Sequence, residues 1–189
     1  MTAGELMVAQ RVEVREELDF DEIFAAYQER IYNCTYRLMG NSEEAHDLTQ
    51  ETFLRAYAGL PKINGELKVG PWLYRIATNL CMDQLRRRKL IRWEAWDNFL
   101  EYFHPSQVAR DNPERDALTH ESREMVHRVL QELPPKYRLC LVLREYQGLS
   151  CEEIGEVIGS SRSAVKSLLF RAREEFRVVY QRLGGTDPL

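Results

Sequence analysis

Residues 150–177 read SCEEIGEVIGSSRSAVKSLLFRAREEFR, and this stretch decides the fold. Ser150 followed three residues later by Glu153 is a capping box that opens a helix. That helix runs through Ile158, and Gly159-Ser160-Ser161 then forms a tight turn. A longer helix follows, from about Arg162 to Leu183. Val165, Leu169, Ala172, Phe176, Val179 and Leu183 recur in it at the three-and-four spacing of one buried face. A short capped helix, a glycine turn and a longer helix are the layout of a helix-turn-helix. With Val165 as origin and about 100° per residue, the core positions lie within about 40° of it. Arg162, Ser163, Lys166, Ser167, Phe170 and Arg171 sweep the outer side. Residues 160–182 hold six basic residues against two acids. Cations reach phosphates or guanine edges, and an exposed aromatic meets a thymine methyl. The outer face therefore reads as a DNA-recognition surface. A solvated face would have no use for Phe170.

Outward from this unit, every long periodic segment reads as helix. Leu118, Ser122, Met125, Val126, Val129 and Leu133 mark an amphipathic helix stopped by Pro134-Pro135, and a helix from about Lys136 to Gln147 ends at Gly148. Near the start, Phe20, Ile23, Phe24, Tyr27, Ile31, Cys34 and Leu38 share one helix face. Asp19 and Glu22 predict a capping box there, and Gly40 a stop. A second helix runs from about Asn41 to Ala58 and buries Ala45, Leu48, Phe53 and Ala56. A third runs from Pro71 to about Arg88 with Leu73, Ile76, Ala77 and Leu80 inward. Opposite that face lie Arg75, Asn79, Met82 and Arg86 as one stripe. Arg86, Arg87, Arg88, Lys89 and Arg92 follow with no acid among them. Five cations exceed what compensation of a helix dipole asks. A cationic helix end beside a hydrogen-bonding stripe suits single-stranded or deformed nucleic acid.

The expected architecture is all-α: two small helical domains joined by a linker. The boundaries are an acidic tail at 1–17, a first domain at 18–92, a linker at 93–113, a second domain at 114–184 and a short tail at 185–189. The linker is acidic, and Trp93, Trp96, Phe99, Tyr102 and Phe103 crowd into it. Trp93, Trp96 and Phe99 are expected to form a short helix that packs on a domain or a partner.

The chain has 189 residues, 44% apolar and 30% charged, enough to bury a core. No apolar run reaches the roughly 18 residues of a membrane span. The first ten residues lack the basic-then-apolar pattern of a signal peptide. Cysteines 34, 81, 140 and 151 form no CxxC pair and sit in apolar helical patterns, so they read as reduced thiols of a cytoplasmic protein. No nucleophile elbow, Walker loop, HExxH or GxGxxG is present. No catalytic residue, metal or cofactor is therefore expected.

These segments together resemble a known family. Asp47-Leu-Thr-Gln-Glu-Thr-Phe-Leu-Arg-Ala56, Trp72-Leu-Tyr-Arg-Ile-Ala-Thr-Asn79, Asp83 and Leu85-Arg-Arg-Arg88 look like domain two of the small bacterial sigma factors. Leu133-Pro-Pro-Lys-Tyr-Arg138, Gly148-Leu-Ser-Cys-Glu-Glu-Ile-Gly155, Ala164-Val-Lys-Ser167 and Arg171-Ala-Arg173 look like domain four. Their order and spacing resemble the extracytoplasmic-function (group 4) subfamily of the sigma-70 family.

The resemblance implies a subunit that binds core RNA polymerase, through its β and β′ subunits, and opens promoter DNA. On that reading Asp47, Gln50, Glu51 and Leu54 dock on the polymerase clamp. Lys62, Asn64, Trp72, Arg75, Asn79, Arg86 and Arg87, with the loop at 62–70, meet the −10 element and a flipped base. Arg144, Arg162, Ser163, Lys166, Ser167, Phe170 and Arg171 meet the −35 element. The linker threads toward the RNA path. An anti-sigma factor is an expected further partner, and neither a small-molecule substrate nor direct membrane insertion is expected. Three positions depart from the family pattern. Leu168 replaces a usual Arg, Val69-Gly-Pro71 replaces Phe-x-Thr before the Trp, and Gly155 replaces Ala. The last costs about 0.8–1 kcal/mol of helix propensity unless close packing needs it.

A stand-alone helix-turn-helix regulator has no use for a clamp-docking helix at 47–56. A hydrolase built on His46 lacks a ligand set. Taken alone, the net charge of −4 argues against a nucleic-acid binder, but it is unevenly spread. The tail at 1–17 carries −2 and the linker −3, while residues 18–92 carry +1 and 114–189 are neutral. The chain is expected to bind DNA weakly alone and to rely on polymerase.

Overall fold

The computed structural model describes residues 19–60, 67–88 and 117–185, with side chains of the last stretch from residue 122. Its elements are α1 (Phe20–Met39), α2 (Ser42–Gly59), α3 (Val69–Arg87), α4 (Ala117–Glu132), α5 (Pro135–Leu141), a π-turn (Val142–Tyr146), α6 (Cys151–Ile158) and α7 (Arg162–Arg182). No strand occurs among the described residues. Lys62, Asn64, the aromatic linker residues and both chain ends lie outside them.

Local chemistry sets most helix ends. Asn41 accepts from the Glu44 amide at 3.0 Å and starts α2, and Gly40 closes α1 in the left-handed region at φ 71°. Asp19 caps α1 by accepting from the Asp21 amide. The expected reciprocal box with Glu22 is replaced by this single bond. Helix α3 begins at Val69, two residues before the expected Pro71, so the proline falls inside its first turn, where its missing N–H costs nothing. Helix α5 starts at Pro135 and turns π-helical after Leu141. There the Gln147 amide reaches Val142 O at 3.2 Å, five residues back.

Helices α1 to α3 form one bundle. Thr35, fully buried at its centre, donates to Ala45 O and shares a 3.0 Å bond with the Thr49 hydroxyl, so its own hydroxyl is satisfied between α1 and α2. Helices α4 to α7 form the second bundle, with Val129, Leu133, Leu143, Ile154, Val165 and Ala172 inward. The two bundles are not separate bodies. One apolar core runs through both, because α3 packs on α6 and α1 packs on α4 and α5. Two domains in sequence thus close on each other in space.

Cys34, Cys81 and Cys140 are buried and unbridged, and Cys151 is half-buried. Burial pushes the Cys34 and Cys140 thiols up to about 12 and the Cys81 thiol well above its usual value. Such thiols carry almost no thiolate at neutral pH and are inert packing groups.

His127 of α4 stacks on Tyr36 of α1 with ring centroids 5.0 Å apart. Burial, then the charges of Arg138 and Arg37, hold its pKa below the usual 6.5. Its Nε2 is buried with no acceptor among the described residues. The folded ring is therefore neutral, while the unfolded ring takes a proton below about pH 6.5. Protonation linkage imposes no penalty above that pH, and stability is lost as pH falls below it. The thermal midpoint should drop between pH 7 and pH 5.5, and the drop should be smaller in His127→Phe.

Candidate functional site

The helix-turn-helix is built as its sequence dictates. Ser150 accepts from the Glu153 amide, and Glu153 accepts from the Ser150 amide at 2.7 Å. Gly159 takes φ 67° to end α6, and Ser161 caps α7 by accepting from the Ala164 amide. Gly155 has a tighter role. A Cβ there would lie 2.5 Å from the Ser160 carbonyl oxygen, and that same turn closes through the Ser160 amide on Gly155 O at 2.9 Å. The close packing that would justify the glycine is present.

On α7 the outer face is exposed at every position named from the sequence. Phe170 is 67% exposed. Lys166 and Arg171 have no ion pair or hydrogen bond among the described residues, so both remain available to a ligand. Arg162 is paired with Glu152 at 2.8 Å, Ser163 with the Ser161 hydroxyl, and Ser167 donates back to Ser163 O. Leu168 turns inward and packs on the core edge. Arg144 is exposed on the π-turn, but its Nη1 donates to Leu149 O at 2.8 Å and ties the loop ahead of α6.

On α3 the stripe needs one correction. Arg75, Asn79 and Arg86 are exposed, but Met82 is 7% exposed and belongs to the core. With Arg75 as origin and about 100° per residue, Met82 falls at about −20°, while Asp83 and Arg87 fall near 80° and 120°. The exposed arc is thus Arg75, Arg86, Asn79, Asp83 and Arg87. Helix α3 is packed by α1, α2 and α6, which leaves it less free surface than a helix at a bundle edge. Arg86 pairs with Asp83 at 2.7 Å. Arg88 bridges to Glu44 of α2, half-buried, and burial lowers its pKa. It therefore leaves the basic run and serves the bundle. Trp72 is half-buried beside Gly59. At Gly70, where the family pattern differs, a Cβ would sit 3.2 Å from the Tyr27 hydroxyl. The unusual Val69-Gly-Pro71 thus lets α1 approach the start of α3.

On α2, Asp47 and Gln50 are exposed and Leu54 is 65% exposed. Glu51 is held by Arg55 at 2.7 Å, so the acidic face has one local cation that the sequence reading did not credit. The reading also missed Tyr57, equally exposed, and Phe24, expected on the buried face of α1, is 41% exposed because it lies at the edge of that face. Tyr57 meets Phe20 edge-on at 5.1 Å, and Phe24 meets Phe53 at 4.8 Å. Tyr57 stands three residues after Leu54, so helical spacing alone places it on the same stripe.

Known proteins complete the assignment. Residues 23–91 match the Sigma-70 region 2 family and residues 123–176 the Sigma-70 region 4 family. The chain is 35% identical over 182 residues to the extracytoplasmic-function (ECF) sigma factor SigW of Bacillus subtilis, covering 92% of this chain and 96% of SigW. It is 37% identical over 160 residues to the ECF sigma factor SigE of Mycolicibacterium smegmatis. That match covers 84% of this chain, which spans 60% of SigE's length.

The chain belongs to the ECF sigma factors.

Two solved structures share the fold. One is the sigma factor RpoE in complex with the anti-sigma factor NepR from Bartonella quintana, with TM-score 0.62, 22% identity and coverage of 86% of this chain and 97% of that one. The other is CnrH in complex with the cytosolic domain of CnrY, with TM-score 0.63, 22% identity and coverage of 86% and 88%. Against the family pattern, the glycine of α6 in this sigma factor is required by its own turn. Gly155→Ala gains helix propensity of about 1 kcal/mol but must push the Ser160 carbonyl away. A net loss of about 1–2 kcal/mol in denaturant unfolding is expected, because backbone has no rotamer to yield.

Proposed function

We propose that this sigma factor binds core RNA polymerase and selects the promoters at which it starts. Exposed Lys166, Phe170 and Arg171 on a capped helix-turn-helix carry this reading. Helix α2 docks on the polymerase clamp through Asp47, Gln50, Glu51 and Leu54. Arg75, Asn79, Arg86 and Arg87 of α3, with Trp72 and with Lys62 and Asn64 beyond the described residues, engage the −10 element and hold an extruded base. Base extraction costs a few kcal/mol, which a pocket must offset. Helix α7, with Arg144, engages the −35 element. The protein acts by binding and positioning, not by covalent catalysis, and it needs no cofactor.

The working units on this reading are residues 18–92 for the −10 element and 114–184 for the −35 element, with acidic 93–113 between them. The protein acts in the cytoplasm, where polymerase works. Among the described residues no helix is long and apolar enough to cross a membrane. RpoE and CnrH were each solved with a bound partner, and an anti-sigma factor is the corresponding regulator proposed here.

Reconstitution with core polymerase tests this reading. The protein should direct run-off transcription from a subset of genomic promoters, and lack of polymerase binding would overturn the assignment. Lys166→Ala should weaken −35 binding and shallow its salt dependence by about one ion if it meets phosphate. Arg171→Ala should cost about 1–3 kcal/mol at one base position. Asn79→Ala should spare duplex binding yet impair opening, read by permanganate reactivity of unpaired thymines. Gln50→Ala should weaken polymerase binding alone.

A further inference from the structure

A groove of about 360 Å³ lies on the second bundle, lined by Val126 and Leu130 of α4, Leu141 of α5, Tyr146 of the π-turn and Phe176 of α7. Glu145 and Arg173 also line it, and they neutralise each other in a 2.8 Å ion pair. Tyr146 is a large ring left 41% exposed. Arg37 of α1 lies over that ring at 4.0 Å. Its Nη1 donates to Asn33 O at 3.2 Å, and no carboxylate among the described residues neutralises it. The groove is therefore an apolar channel with one uncompensated cation at its edge. None of the residues assigned to polymerase or promoter contact lines it. A groove of this kind takes the apolar face of a helix, with anchors three, four and seven residues apart.

The sequence holds a segment with that pattern and no assigned partner. Residues 93–103, outside the described residues, read WEAWDNFLEYF. With Trp93 as origin and about 100° per residue, Leu100, Trp96, Phe103 and Phe99 fall near −20°, −60°, −80° and −120°. Asp97, Glu101 and Glu94 fall near 40°, 80° and 100°. One arc is thus wholly apolar and mostly aromatic, and the next arc carries three acids and no base. An aromatic side chain buries about 150–250 Å². Four of them make a face of about 600 Å² or more, at or above the largest apolar patch that a monomer ordinarily leaves in water.

The ends of the described chain lie beside the groove. Arg88 bridges to Glu44 at the start of α2. Gly40, just before α2, lies against Gln131, since a Cβ there would come 2.7 Å from that side chain. Gln131 adjoins Leu130, which lines the groove. The described chain resumes at Ala117, the first residue of α4, about 20 Å from Leu130 along the helix axis. It therefore stops near one end of α4 and resumes at the other. Residues 89–92 reach about 17 Å when extended, a helix over 93–103 is about 16 Å long, and 104–116 span up to about 45 Å. That is enough to lay the aromatic face along α4. The tether also holds the segment at an effective concentration on the order of 1 mM, so an intrinsic Kd of about 0.1 mM already gives about 90% occupancy.

We propose that this groove is the docking site of the chain's own residues 93–103, with Trp93, Trp96 and Phe99 as anchors and the acidic arc beside Arg37. The docked segment excludes any other helix, so a partner that uses this surface must first displace it. The inference goes beyond the sigma-factor reading and stands without it.

Two measurements on the full chain test it. The chain has three tryptophans, and Trp72→Phe leaves Trp93 and Trp96 as the reporters. Acrylamide should quench them at least two-fold less than it quenches a synthetic peptide of residues 92–104. Adding Tyr146→Glu, which puts an acid in the groove and keeps an anion beneath Arg37, should raise quenching to the peptide's level. Phe99→Glu, on the segment itself, should do the same without touching either bundle. Helix content by circular dichroism checks that each variant is folded. In the second measurement, p-benzoylphenylalanine replaces Trp96 and is photolysed. Mass spectrometry should place most of the cross-links on residues 126–130, 141–146 and 173–176 of the same chain. Quenching equal to that of the free peptide would overturn the proposal, as would quenching that both charge substitutions leave unchanged. Cross-links gathered on the first bundle, or joining two copies of the chain, would also overturn it.

Discussion

Arg138 carries its guanidinium into the interior with carbonyl and amide oxygens as its bonded partners. Burial first, and then the nearby Arg88 charge, lower its pKa to about 10. A cation that is solvated only by dipoles is tolerable when several of them converge. Here Leu38 O, Gln131 O, Leu133 O and Gln131 Oε1 do so. Charge-assisted bonds of this kind each contribute about 1.5–3 kcal/mol, against a desolvation cost of several kcal/mol. The balance is narrow, and it depends on the end of α1 sitting where α5 can reach it. The fit of the two bundles follows from that one placement.

Helix α3 is the second shared part. It packs on α1 and α2 within its own bundle and on α6 of the other. Tyr74 shows what this means for a polar side chain. It is 1% exposed, and its hydroxyl survives burial because Gln147 supplies an acceptor. Burial in turn drives its pKa upward. The remaining free arc of α3 is narrow, and it carries Arg75, Asn79, Arg86 and Arg87. Charge follows the same economy. Arg88 is drawn into the bundle by Glu44, and the cations with no internal task stay at the surface. A chain of net charge −4 can therefore still present local basic faces.

Much of the fold was legible because it depends on local rules. Apolar spacing located the α-helices of the described residues, and capping residues such as Asn41, Ser150 and Ser161 set the boundaries. The exposed outer face of α7 was legible for the same reason, since one bundle covers only one side of it. Leu168 turned inward as its angle on the helix required. The same wheel failed for Met82, because it assumes that a helix has one buried side and α3 has neighbours on several. Helical spacing does pair Glu51 with Arg55 one turn on and set Tyr57 beside Leu54, whereas the edge-on contact of Tyr57 with Phe20 exists only in the packed bundle.

The sequence by itself determined an all-helical chain, a helix-turn-helix with a polar and aromatic outer face, and the family to which these motifs belong. Those features rest on periods of three and four residues and on caps within a few positions, and each is local. Only the tertiary structure decided that the two bundles share one core, that Arg138 and Gln131 finish a helix about a hundred residues away, and that Gly155 is needed by its own turn. Those contacts are made by polar groups across long separations. No periodic pattern records them, and the pairing exists only once the backbone has brought donor and acceptor together.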